Sequence, residues 1–434
     1  MTHDRDSIDL AGIGIGPFNL SLAALADGLP DLTTRFFERK RAFSWHPGLA
    51  FDDSTMQTSY LKDLVTPVQP TNRWGFLNFL VEHGRFYDFM AARFDTVSRR
   101  EFTEYLAWVA GSLPSCRFAT AIRDVDHDGQ AFRLRTDRGE TVTARAIAVG
   151  TGPVPHVPEG APLGPACFHG MEYLERMPQI AGRRVAVIGG GQTGAEIMLD
   201  LLGKVDGPAA LNWISRRSAF WALQEGGLID QIYTPAYGKA HQRLPAEVQS
   251  RLVEDQKLSS DGLTPSTADA LYRLIYQRRY LDCHNGIALR PGQTVKELRG
   301  TGGAVQLILQ DAVGALDVIH ADVVILATGF RTVLPDCLEP LRDRLETEQG
   351  GALQLGAAYR VVWDGPDDAG IYGLNHGRRS YGIGDPQLSL TAWRSATILE
   401  DVTGQRLFPA LHGPQGGLVD WTRSASGREM RISA

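Results

Sequence analysis

Two glycine-rich turns, each set between an apolar run and a helix-like stretch, predict an α/β chain of two Rossmann-like dinucleotide-binding domains with a small helical region attached. The first turn is Gly12-Ile13-Gly14-Ile15-Gly16-Pro17, after the apolar residues 8–11. The second is Gly189-Gly190-Gly191-Gln192-Thr193-Gly194, after 185–188. A third observation is a pair of short apolar runs ending in Thr-Gly, at 146–152 and 323–330. Glycines let the backbone approach a pyrophosphate closely, and the helix that follows points its free N–H groups at it. Two such turns imply two dinucleotides, most economically a flavin in one and a nicotinamide in the other.

The first turn departs from the ideal pattern at its third glycine position, which is Pro17. Proline is accepted at the first helical residue, where the missing N–H would have no intrahelical partner. Gly12, Gly14 and Gly16 still allow the turn. Glu38 follows 26 residues after Gly12 and closes the run Arg35-Phe36-Phe37-Glu38. A carboxylate at the end of a second strand suits a ribose hydroxyl pair, as FAD requires. The bland alternative is a strand–turn–helix without a ligand.

Pro153, Pro155, Pro158 and Pro162 follow the first Thr-Gly turn and read as a crossing between domains. The two Thr-Gly turns mark where the chain leaves and re-enters its first domain. The expected division is 1–165 with 319–434 for FAD, and 166–318 for NADPH. Within the latter, 240–285 is rich in Leu, Arg, Glu and Gln and reads as a helical, substrate-side segment. The second turn, with Gly189, Gly191 and Gly194, is a full G-x-G-x-x-G beside Gln192 and Thr193. Its next strand, Leu211-Asn212-Trp213-Ile214, ends in Ser215-Arg216-Arg217 rather than in an acid. Arginines there suit the 2′-phosphate of NADPH; the alternative is a solvated surface pair.

Composition excludes several classes. Charged residues at 22%, hydrophobic residues at 43% and a net charge of −6 give no basic footprint for nucleic acid. No run is long enough to cross a bilayer, and residues 1–6 are polar with no apolar segment ahead of the first strand. Cys116, Cys167, Cys283 and Cys337 are scattered, which argues against a metal site and a redox disulfide. A reducing cytoplasm is the expectation.

Further segments sharpen the reading: Phe43-Ser44-Trp45-His46-Pro47-Gly48, Met56-Gln57-Thr58-Ser59-Tyr60-Leu61-Lys62-Asp63-Leu64-Val65, and Pro70-Thr71-Asn72 with Phe76-Leu77-Asn78-Phe79-Leu80. Ala327-Thr328-Gly329-Phe330-Arg331 and Asp385-Pro386-Gln387-Leu388-Ser389-Leu390 complete the set. In order and spacing these resemble the microbial N-hydroxylating flavin monooxygenases. Those are the lysine, ornithine and diamine N-monooxygenases of hydroxamate siderophore pathways. The resemblance covers nearly the whole chain and is closest to the lysine and diamine branch.

The resemblance implies an FAD- and NADPH-dependent enzyme that uses O₂ to convert a terminal primary amine, of putrescine, cadaverine or L-lysine, to a hydroxylamine. It places Trp45, His46 and Gln57 along the flavin, with Gly329, Pro386 and Leu388 also on its side. It matches Lys62 to the lysine that pairs with an amino-acid carboxylate, and Ser389 to a serine near the reacting end of the substrate. It also implies a homo-oligomer, dimer or tetramer. Read from the residues alone, Asp385-Pro386 makes an N-cap and first residue for a helix over 387–400, whose N-terminus favours negative charge on a reduced flavin. Lys62 alone reads as a surface ion pair with Asp63 or another acid, and Trp45 and His46 alone as packing residues.

The chain also departs from the ornithine branch. Asp230 stands where that branch carries an asparagine, and a second asparagine is missing near Ser259-Ser260-Asp261-Gly262. An acid at Asp230 or Asp261 suits the second ammonium of a diamine, whereas Lys62 suits a carboxylate. No side chain is assigned as a catalytic base, and no metal is expected. The runner-up functions are another two-dinucleotide flavin monooxygenase, oxidising carbon or sulfur, and a non-catalytic flavin sensor. For the first, the expected histidine signature is only suggested near Cys167-Phe168-His169-Gly170. Against the second stand Arg216 and Arg217.

Overall fold

The structure is a computed structural model and describes residues 7–176, 180–413 and 418–421. Its first sheet is built on β1 (Ile8–Ile13), β2 (Thr34–Phe37), β3 (Cys116–Arg117), β4 (Ile122–His127), β5 (Phe132–Thr136) and β6 (Thr141–Val149). The strand order is β3-β2-β1-β6-β5-β4. β1 runs parallel to both β2 and β6, while β4, β5 and β6 form an antiparallel meander. The helix Pro17–Ala26 links β1 to β2 and is buried from Asn19 to Ala26. Its sequence is apolar on every side except at Asn19 and Ser21, whose buried side chains bond to backbone carbonyls, as suits a helix covered on every side. It packs against the sheet and against the helix Thr391–Thr403.

The crossing strand β7 (Val154–Pro155) leads to a second, all-parallel sheet. That sheet holds β8 (Cys167–His169), β9 (Arg184–Ile188), β10 (Ala210–Ile214), β11 (Ile287–Arg290) and β15 (Val323–Leu326), in the order β11-β10-β9-β15-β8. An antiparallel meander of β12 (Thr294–Gly300), β13 (Val305–Gln310) and β14 (Leu316–Ala321) covers it. β16 (Phe330–Arg331) then pairs antiparallel with β7, so the outgoing and returning crossings lie side by side. Finally β17 (Ile371–Gly373) adds to β6 in parallel.

Two expectations need correction. The strand at 323–326 belongs to the second sheet, between β9 and β8, so the return crossing follows residue 326 instead of beginning at 319. A fully apolar parallel strand carries no mark of which sheet it enters. The helix expected over 387–400 begins at Thr391, after a 3₁₀ turn at Leu388–Leu390. Asp385 does not cap it: its carboxylate is buried, accepts the Gly377 N–H at 2.8 Å and pairs with Arg394 at 2.9 Å. The 240–285 segment is helical, with the helices Ala246–Asp255 and Pro265–Tyr276 and a π-turn at Gln277–Leu281, preceded by Pro235–Gln242. Thr234 and Thr264 cap two of these, each followed by a proline.

Candidate active site

Both glycine turns are sterically obligatory. A Cβ on Gly12 would lie 2.0 Å from the Phe36 ring, and Gly14 has φ +87° with the Gly150 carbonyl 2.6 Å from any Cβ. On the second turn Gly189 has φ +134°, and a Cβ would lie 1.9 Å from the Ala327 carbonyl oxygen. A Cβ on Gly194 would lie 2.1 Å from the Gly189 carbonyl oxygen. Gly16 caps the helix Pro17–Ala26 and Gly191 caps Gln192–Gly203, neither with a side-chain hydrogen bond. The first N–H groups of both helices are therefore not occupied by a capping side chain, as an anion seat requires.

Glu38 stands at the end of β2 and closes the first turn. Its Oε2 accepts the Ile15 N–H and its Oε1 the Lys40 N–H, each at 3.0 Å. A carboxylate offers about four lone-pair sites, so capacity remains for a hydroxyl pair. Asn19 donates to the carbonyls of Ile13 and Gly14 at 3.1 and 2.8 Å, while its buried Oδ1 has no hydrogen-bond partner among the described residues. At the second turn Arg216 is exposed and makes no ion pair among the described residues. Arg217 donates to the Asp261 carbonyl.

Between the two sheets lies a cavity of about 1350 Å³. It brings together Trp45, His46 and Gln57, Gln192 and Thr193 of the second turn, and Pro386 and Leu388. His46 sits in the left-handed region at φ +46°. Its imidazole is pushed down to about 4 by burial, with Arg99 and Lys40 adding to the effect. Gly329 lies in the crossing at φ +81°, where its carbonyl accepts the His156 N–H and contacts His169 Nε2 at 3.1 Å.

The remaining predicted residues lie off this wall. Lys62 is half-buried and has no ion-pair partner among the described residues. Asp63 cannot serve as one, because its carboxylate is buried and takes the N–H groups of Val65, Thr66 and Phe76. Asp230 is exposed, and its charge, second to burial, helps raise the Glu225 carboxyl on the cavity wall. Asp261 is engaged by Arg378 at 3.1 Å. Ser389 is buried in the 3₁₀ turn immediately behind Leu388.

Two further cavity residues carry no mark in the sequence. Arg99 opens the helix Arg99–Ser112, stacks over Trp45 at 5.3 Å, and is lowered by burial with Glu196 opposing. Glu196, from the helix after the second turn, is raised by burial, with Gln192 and Arg99 opposing. The two interact across the cavity from two helices, Arg99–Ser112 and Gln192–Gly203. Ser98-Arg99-Arg100-Glu101 reads only as a capped helix start, so no local signal marks Arg99.

A family model described as L-lysine 6-monooxygenase/L-ornithine 5-monooxygenase matches residues 6–332. The chain belongs to that family. It is 38% identical to the L-lysine N6-monooxygenase of Escherichia coli over 423 residues, covering 96% of this chain and 99% of that one. It is 31% identical to a putrescine N-hydroxylase of Shewanella oneidensis over 417 residues, covering 94% and 83%. Among solved structures, the FAD-bound cadaverine monooxygenase of Erwinia amylovora superposes with a TM-score of 0.86 at 28% identity, covering 93% and 96%. The ornithine N-hydroxylase of Kutzneria sp. 744, with reduced FAD, NADP⁺ and L-ornithine, gives 0.85 at 26%, covering 92% and 100%. This N-monooxygenase is a flavoenzyme that uses FAD and NADPH to hydroxylate an amine. Its two glycine cradles, and the cavity walled by Trp45, His46 and Gln57 and by Gln192 and Thr193, fit two dinucleotides. No helix among its described residues is long and apolar enough to cross a membrane.

Proposed function

We propose that this N-monooxygenase hydroxylates the side-chain amine of L-lysine, for a hydroxamate siderophore. The observation that carries the choice is Lys62. A half-buried ammonium without a counter-ion among the described residues asks for an anion, and among the candidate amines only an amino acid supplies a carboxylate. The 38% identity to a lysine enzyme points the same way. The overall reaction balances as R–NH₂ + O₂ + NADPH + H⁺ giving R–NHOH + H₂O + NADP⁺. The bound cofactors supply the electrons and the activation of oxygen.

The chain's own residues bind, orient and exclude water. Gly12, Gly14, Gly16, Pro17 and Glu38 would hold the FAD phosphates and ribose; Trp45, His46, Gln57, Gly329, Pro386 and Leu388 would border its ring. Gly189, Gly191, Gln192, Thr193 and Gly194 would hold the NADPH pyrophosphate, with Arg216 and Arg217 at its 2′-phosphate. This division makes the first sheet the FAD domain and the second the NADPH domain. The amine must arrive unprotonated, although a free alkylamine titrates at about 10.4, and a desolvated pocket lowers that value. Ser389 would face the reacting amine. A homo-oligomer working in the cytoplasm is part of the same proposal, and sedimentation of the purified chain reads its first half.

A diamine substrate is the second reading. It is favoured by Asp230 beside Glu225, a pair of acids suited to a second ammonium. Lys62→Met separates the two. It should raise the KM for lysine by ~10- to 100-fold, the worth of one charge-assisted contact, and leave that for cadaverine nearly unchanged. An equal loss on both amines would remove Lys62 from the carboxylate.

A further inference from the structure

The turn over 385–390 is walled by cavities on both sides. Pro386, Gln387 and Leu388 face the large cavity, while Asp385 and Leu390 face a separate one of about 230 Å³. Its own backbone bonds are local: Asp385 N–H to Gly382, Gln387 N–H to Gly384 and Leu390 N–H to Gln387. A turn with space on either side is not fixed by packing alone. Its longer polar tether runs through Asp385. That carboxylate is fully buried, pairs with Arg394 Nη2 at 2.9 Å, and takes the Gly377 N–H. Arg394 is equally buried, also donates to the Asp385 carbonyl, and stacks over Phe18 at 4.3 Å. Phe18 is the second residue of the first fingerprint helix.

For stability alone this arrangement is a poor bargain. A buried ion pair barely repays its desolvation, and an apolar pair of similar volume often does as well. Here Arg394 Nε and Nη1 also find no hydrogen-bond partner among the described residues. Such pairs are retained where they fix one arrangement out of several. We infer that Asp385 and Arg394 are positioning residues, a buried strut that holds the Ser389 turn in register with the helix of the first glycine turn. The strut sets where the amine stands relative to the flavin, so it decides whether reducing equivalents end in hydroxylamine or are lost to peroxide. The inference rests on the proposed placement of Ser389 near the amine.

Removing Arg394 alone would strand a buried carboxylate and could unfold the chain. The test is therefore the double variant Asp385→Asn/Arg394→Met, which keeps an acceptor for Gly377 and leaves no unpaired charge. Retained FAD per chain, thermal midpoint, lysine KM and hydroxylamine formed per NADPH consumed are measured together. The expected result is near-parent FAD content and midpoint, with a raised lysine KM and hydroxylamine per NADPH down about tenfold or more, the scale of a small misplacement at a reacting centre. Parent-like coupling overturns the inference. So does loss of FAD and fold, which would make the pair structural only. Ser389→Ala, scored separately, distinguishes the two ideas: if it leaves coupling unchanged while the double variant loses it, the strut stands and the placement of Ser389 falls.

Discussion

At the first glycine turn Glu38 accepts two backbone N–H groups, from Ile15 and Lys40, whereas the strand after the second turn is followed by Arg216, which is exposed and has no ion-pair partner among the described residues. The first seat is tied by the chain's own bonds: Glu38 holds the Ile15 and Lys40 N–H groups, and Asn19 holds the Ile13 and Gly14 carbonyls. The second presents a solvated cation, Arg216, which under the proposed function the 2′-phosphate of NADPH would recruit. On this account the difference matches two cofactor behaviours. A resident flavin is served by preorganisation, which cuts the ordering cost of binding. An exchanging nicotinamide is served by a charge that captures and releases.

The largest expected effect tests the turns themselves. Gly189→Ala sets a methyl against the backbone carbonyl of Ala327 at a φ of +134°, which cannot relax locally. It should cost ~3–5 kcal/mol of stability in urea unfolding, strain and overpacking together. Gly12→Ala meets the Phe36 ring, a side chain that can shift, and should cost ~1–3 kcal/mol. The reverse order would mean that the second turn is the more forgiving of the two.

Next comes Glu38→Ala, which leaves two N–H groups without their acceptor. FAD affinity, read by fluorescence titration of the apoprotein, should weaken by ~10- to 100-fold. The KM for NADPH should stay near that of the parent. Arg216→Ala should do the converse: a KM for NADPH raised by ~10-fold, with the salt dependence of that KM reduced and NADH turnover little changed. If Glu38 moved both cofactors equally, the two seats would not be independent.

The smallest effect concerns protons. His46 and His376 both titrate near 4 in the folded chain, each chiefly because of burial, against an ordinary 6.5. Between those values the unfolded chain binds protons that the folded chain refuses. Stability is full above about 6.5 and falls as pH drops toward 4. The thermal midpoint should decline between about pH 7 and 5, with a shallower decline in His46→Asn. An unchanged slope in that variant would show that His46 is not held neutral.

Much of this site is legible without coordinates because its signals are local. A glycine turn, the strand before it and the acid or arginines after it occupy short windows, and the structure places Glu38 against Ile15 as those windows suggest. What escapes the sequence is set by distant partners. Asp385 looks like a helix cap, but Arg394, nine residues on, draws it into the core and delays the helix to Thr391. The strand at 323–326 is as apolar as the one at 146–149, and only pairing shows that they enter different sheets. Arg99 and Glu196 influence each other's charge across the cavity from segments nearly a hundred residues apart, and neither carries a motif.

The most direct test is hydroxylamine formation, dependent on NADPH and O₂, with FAD-loaded enzyme and L-lysine, L-ornithine, putrescine and cadaverine in parallel. Product is expected chiefly from L-lysine, with hydroxylamine and NADPH oxidation closely matched. Greater turnover of cadaverine or putrescine, or peroxide alone from all four amines, would contradict it.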